Sequence, residues 1–122
     1  MIAIVDYGVG NLASIKNILK KIGVESFIAN SEASIARADK LILPGVGAFD
    51  TCVEKLQQAG FISVLNKKVT EEKIPILGIC VGMQLLFDNS EEGTLPGLGW
   101  IKGKNIRFKP ELFDELLKVP HM

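Results

Sequence analysis

Ile74-Pro75-Ile76-Leu77-Gly78-Ile79-Cys80-Val81-Gly82-Met83-Gln84-Leu85-Leu86-Phe87 is the stretch on which the fold reading turns. The apolar run 74–79 predicts a strand, and Pro75 near its start means that this residue donates no ladder bond. A turn at Cys80 then leads into a predicted helix over 82–87. A strand that feeds a helix directly is half of a βαβ unit, so similar units are sought on either side.

Upstream, Ile2 to Val5 reads as a strand buried on both faces, ended by Asp6 and the Gly8-Val9-Gly10 loop. From Asn11 the apolar positions Leu12, Ile15, Ile18, Leu19 and Ile22 recur at helical spacing, and Gly23 is a natural stop. A second strand is predicted over 25–29, a short helix capped by Ser31 runs to about Ala38, and a third strand over 40–43 is closed by Pro44. Asp50 is expected to cap a helix that breaks at Gly60, and helical periodicity resumes over 61–73. Downstream, 89–99 is polar and rich in glycine and proline, and 100–108 alternates well enough for one or two antiparallel strands. The pattern is an α/β fold: a mainly parallel sheet with helices on both faces, in which function collects where the strands end.

Composition narrows the field. The 122 residues are 48% hydrophobic, with 14 Lys and Arg against 14 Asp and Glu. A chain of this size buries roughly two thirds of its unfolded surface, which makes one domain without disulfide or metal staples. Balanced charge supplies no field for collecting phosphates, so neither nucleic acid nor a membrane is expected as a partner. No apolar run is long enough to span a bilayer, and MIAIVDYG does not read as a secretory leader, so a cytoplasmic location is expected. Two separated cysteines and one histidine predict no metal site.

Three glycine-bearing loops leave strand ends. Gly78-Ile79-Cys80-Val81-Gly82 has the form of a nucleophile elbow, in which the nucleophile takes a positive φ and small flanking residues let strand and helix approach. The turn sets the thiol at a helix N-terminus, where the thiolate is favoured, and aims the Val81 N–H at a developing oxyanion. The plainer alternative is a core cysteine beside packing glycines, the reading preferred for Cys52. Leu43-Pro44-Gly45-Val46-Gly47 is a turn, or a loop whose N–H groups supply a second oxyanion donor. Gly8-Val9-Gly10-Asn11-Leu12-Ala13 fits a dinucleotide fingerprint, with Glu32 where a ribose-binding acid would fall, although Asp6 puts a carboxylate where pyrophosphate would sit. A tight turn or partner-contact loop is preferred there. Glu91 and Glu92 read as a solvated pair, and His121, next to the last residue, as structural or exposed.

Gly78-Ile79-Cys80-Val81-Gly82-Met83-Gln84 resembles the Gly-x-Cys-x-Gly-x-Gln signature of the class I glutamine amidotransferases. Asp6-Tyr7-Gly8-Val9-Gly10-Asn11-Leu12, 43–49 (LPGVGAF), Gly97-Leu98-Gly99-Trp100 and Pro120-His121-Met122 resemble the histidine-biosynthesis branch, the glutaminase subunits of imidazole glycerol phosphate synthases. The resemblance covers essentially the whole chain, as the N-terminal portion of such a domain, and implies a flavodoxin-like sheet. It implies that Cys80 forms a glutamyl thioester while ammonia leaves, without cofactor. Val81 and the Val46-Gly47 peptide would be oxyanion donors, the latter able to flip. Gly47, Gln84 and Glu92 would hold glutamine, and Asn11 would face a (β/α)8-barrel cyclase that receives the ammonia. In the family a later His-x-Glu motif serves the nucleophile. These 122 residues lack it, and His121 matches the Pro-His-Met motif instead, so the chain is expected to be a fragment or unable to hydrolyse glutamine unaided. Rival readings are a paralogue feeding another acceptor such as a surface sugar, a nucleotide-binding module, and a non-catalytic partner-binding scaffold.

Overall fold

The computed structural model describes residues 1–106 of the chain. Strands β1 (Ile2–Val5), β2 (Ser26–Ala29), β3 (Lys40–Gly45) and β4 (Ile76–Cys80) form one parallel sheet in the order β2-β1-β3-β4. Helix α1 (Leu12–Lys21) links β1 to β2, whereas α2 (Glu32–Ala36), α3 (Phe49–Ala59) and α4 (Ile62–Asn66) lie on connections that run the other way across the sheet. Right-handed crossovers therefore put α1 on one face and α2 to α4 on the other. The main core lies under the latter, where Ala3, Val5, Leu41 and Leu43 meet Ile35, Phe49, Leu56 and Leu65. Each large side chain fully buried there contributes roughly 1.5–3 kcal/mol. The α1 face is thinner: α1 has no buried residue, and Leu77 of β4 is exposed.

Local sequence sets the helix ends. Asn11 caps α1 by accepting the Ser14 N–H, Ser31 caps α2 in a capping box, and Gly60 ends α3 in the left-handed region. Four expectations need correction. Pro44 does not close β3, which continues through it to Gly45 level with Cys80. The helix expected over 61–73 divides into α4 and a π-helical turn, Lys67–Glu71. Within that turn the buried Lys68 ammonium donates to the Ala36 carbonyl at 2.9 Å and pairs with Glu72 at 3.0 Å. The helix after Cys80 is a single turn, α5 (Val81–Gln84). It stops because the carbonyls of Leu85, Leu86 and Phe87 accept N–H groups from Leu98, Ile101 and Gly99, so tertiary bonds override helical propensity.

Phe87 accordingly opens a strand, β5 (Phe87–Ser90), inside what the sequence presents as helix end and loop. Its partner is β6 (Ile101–Asn105), and the pair is parallel, not antiparallel. The intervening segment returns alongside β5, with the Gly97 N–H donating to Asp88 O at 2.7 Å, and so delivers β6 in the same direction. Phe108 and His121 lie outside the described residues. Among those described, no helix is long and apolar enough to cross a membrane.

Candidate active site

Cys80 is the last residue of β4 and sits at φ +56°, ψ −125°, with its side chain exposed. Such a backbone conformation costs a non-glycine residue of order 1–3 kcal/mol and persists only where the surroundings impose it. Here the glycines impose it. A Cβ on Gly78 would lie 2.5 Å from Met83 Cα, one on Gly45 would lie 2.6 Å from Gly82 N, and one on Gly82 would overlap the Leu43 carbonyl. The first turn of α5 thus rests directly on the β3 and β4 backbones. Since α5 is a single turn, it brings no extended helix dipole to Cys80.

Gly45 stands opposite Cys80 in the β3–β4 register, so the 45–47 loop leaves the sheet beside the thiol. Val46 is exposed, and Gly47 adopts φ +82° with open space around it. The Val46 carbonyl accepts from the Cys52 thiol at 3.4 Å. Cys52 itself is fully buried on α3, which fits the core role expected for it.

The structure joins Gln84 and Glu92 through a residue that sequence reasoning misses. The Ser90 hydroxyl, buried at the end of β5, donates to Gln84 Oε1 at 3.0 Å and accepts the Glu92 N–H at 3.2 Å. Asn105 adds a bond from Nδ2 to the Gln84 carbonyl at 3.0 Å. Nothing in the sequence marks Ser90, because its role depends on the unforeseen strand β5.

Asp50 is a further correction. The N-cap of α3 is Ala48, without a side-chain cap, and the Asp50 carboxylate instead receives the Thr94 and Leu95 N–H groups and the Thr94 hydroxyl at 2.9–3.0 Å. It thereby fixes the segment that follows Glu92. The backbone N–H of Leu95, then that of Thr94, hold this carboxyl below the usual carboxylate range. A carboxyl depressed on folding contributes stability that is complete above its unfolded pKa of about 3.9 and is lost as pH falls through the folded value. The Thr94 and Leu95 amide resonances should therefore titrate with a midpoint below about 3.9, and Asp50→Asn should abolish that titration. A midpoint at or above the unfolded value would contradict the assignment.

Asn11 is exposed in the loop after β1, at the same sheet end as Cys80. In that loop Asp6 accepts the Gly8 N–H at 3.2 Å, and Asn11 accepts the Ser14 N–H of α1 at 3.3 Å. A Cβ on Gly10 would lie 3.0 Å from Pro44 Cβ, so close packing accounts for this glycine without a dinucleotide. Among the described residues, no group of three His, Cys, Asp or Glu side chains could hold a metal ion.

A model of the family described as glutamine amidotransferase class-I matches residues 3–121. Over its whole length the chain is 53% identical to the imidazole glycerol phosphate synthase subunit HisH 2 of Methanococcus maripaludis and covers 59% of that protein. It is 47% identical to the corresponding HisH subunit of Leptospira interrogans and covers 60% of it. The chain therefore spans about three fifths of the length of these curated relatives. A solved glutamine amidotransferase structure superimposes with a TM-score of 0.66 at 24% identity, over 81% of this chain and 52% of its own, which marks a shared fold.

Proposed function

The chain belongs to the class I glutamine amidotransferase family, and from that premise we propose that it carries the nucleophile and oxyanion site of a glutaminase that passes ammonia to a synthase partner in histidine biosynthesis. The observation that carries this reading is Cys80, exposed at a positive-φ strand-to-helix turn level with the 45–47 loop. In the proposed reaction the Cys80 thiolate attacks the carboxamide carbon of glutamine, and the C=O π pair moves onto oxygen. The Val81 N–H and the Val46-Gly47 peptide stabilise that charge. When the tetrahedral species collapses, the C–N bond breaks and nitrogen leaves as ammonia with a proton from the general acid, a role the class gives to its His-x-Glu segment. Water then cleaves the thioester to glutamate and free thiol. Gln84 and Glu92, tied through Ser90, are proposed to hold the substrate, together with Gly47. The HisH names of the relatives support the histidine-biosynthesis branch.

The proposed partner is a (β/α)8-barrel cyclase docking on the face that carries Asn11. A glutaminase whose oxyanion loop can present either a carbonyl or an N–H is expected to be nearly idle until the loaded partner binds. Loss of one oxyanion donor slows such chemistry about a hundredfold to a thousandfold. Glutamate production by the full-length protein, with and without the barrel and its substrate, checks this. Stimulation of that order is the expected result, and a high rate independent of the partner would contradict it.

A further inference from the structure

Glu92 lies in an exposed turn after β5 and belongs to no helix or strand, so its position depends on what fastens the turn at either end. The upstream end is fastened to β5 and β6. The Ser90 hydroxyl accepts the Glu92 N–H at 3.2 Å, the Ser90 carbonyl accepts the Gly93 N–H at 3.2 Å, and the Asn105 carbonyl accepts the Glu91 N–H at 2.9 Å.

The downstream end is fastened to α3 by Asp50, in the first turn of that helix. Its Oδ1 accepts the Leu95 N–H at 2.9 Å, and the Thr94 N–H is shared between Oδ1 and Oδ2 at 2.9 and 3.0 Å. The Thr94 hydroxyl donates to Oδ2 at 2.9 Å. An ionised carboxylate only accepts, which suits three donors that converge on it. Gly93 lets the segment come this close, since a Cβ there would press into Asp50 Oδ1 and lie 2.7 Å from Phe49 Cδ1. The helix that carries this clamp starts at Phe49, directly after the 45–47 loop and Ala48.

We propose that Asp50 is a positioning residue for glutamine: by clamping Thr94 and Leu95 to α3 it holds the turn so that Glu92 meets the substrate. The inference rests on the readings of Glu92 as a glutamine-holding residue and of Cys80 as nucleophile. Leu95 also packs against the core, and a segment held by that packing alone would bind glutamine without the carboxylate. If the clamp sets the turn, its release lowers the apparent affinity by the fraction of molecules in which Glu92 stays in place. The thioester chemistry at Cys80 is untouched once glutamine is bound.

The test is glutamine hydrolysis by the full-length protein in its partner complex. KM and kcat are measured for wild type, Asp50→Ala, Asp50→Asn, Glu92→Ala and the double alanine variant, with Cys80→Ser as the blank and a thermal melt for each. A hydrogen bond shifts an equilibrium about twofold to tenfold. Asp50→Ala should therefore raise the KM for glutamine about threefold to tenfold with kcat unchanged. Asp50→Asn keeps an oxygen for both N–H groups and an amide that can donate to the Thr94 hydroxyl, so it should recover most of the wild-type KM. Since Asp50 acts through Glu92, the double variant should have the same KM as Glu92→Ala alone. An unchanged KM in Asp50→Ala, a rise that Asp50→Asn does not recover, or effects of the two alanine substitutions that simply multiply would overturn the proposal. Glu92→Ala with a wild-type KM would remove the reading of Glu92, and wild-type hydrolysis no faster than the Cys80→Ser blank would remove that of Cys80; either result takes this inference with it.

Discussion

Gly82→Ala is expected to destabilise the protein by at least about 3 kcal/mol, the upper end of ordinary overpacking, because the obstruction is backbone on both sides. The added methyl would overlap the Leu43 carbonyl oxygen and lie 2.8 Å from its carbon and 2.9 Å from the Pro44 carbonyl carbon. No side chain can swing away to make room. Relief requires α5 to lift off β3, which would carry Cys80 and Val81 away from the 45–47 loop. A melt followed by circular dichroism should show a fall of roughly 10 °C or more. Gly23→Ala is the comparison: φ is +81° there, but nothing lies within 4 Å, so only left-handed strain of about 1–2 kcal/mol applies. Equal losses in the two variants would mean that the close approach of turn and strand has been misjudged.

Cys80→Gly is expected to separate stability from activity. Glycine accepts φ +56° without the strain that cysteine bears there, a relief of about 1–3 kcal/mol, partly offset by the extra freedom of glycine in the unfolded chain. The variant should melt no lower than wild type, and Cys80→Ala, which keeps the strain, should melt below Cys80→Gly. Both should lose at least about a thousandfold in glutamine hydrolysis by the full-length protein, since no group remains to form the thioester. Melting temperatures and initial rates measured on the same preparations check the pair. A Cys80→Gly protein that is markedly less stable would contradict the strained turn, and one that retains the rate would contradict the nucleophile.

The turn at Cys80 is legible in the sequence because its demands are local. A positive φ and two backbone contacts call for glycine at fixed offsets, and Gly78 and Gly82 stand there. The parallel sheet is legible for the same kind of reason, since runs such as Ile2 to Val5 and Leu41 to Leu43 report burial residue by residue. What is not legible depends on partners distant in the chain. Leu85 to Phe87 has helical character, yet bonds from Leu98, Gly99 and Ile101 draw it out of the helix, and β5 follows. Ser90 acquires meaning only once β5 exists. Asp50 looks like a helix cap in its own sequence context, but its acceptors face Thr94 and Leu95, more than forty residues away. Cys52 reads correctly as a core residue, while the bond that ties it to Val46 depends on how α3 sits against its loop. The expectation for His121 falls outside the described residues.

The central claim is that Cys80 and not Cys52 is the reactive thiol, because only Cys80 combines exposure with the strained strand-to-helix turn, while Cys52 has no solvent exposure. Alkylation of the native protein by a glutamine-like chloroketone, followed by peptide mapping, tests this most directly. The label should appear on the peptide containing Cys80, be slowed by added glutamine, and leave Cys52 unmodified until the protein is unfolded. Equal or preferential labelling of Cys52 in the native protein would contradict the account.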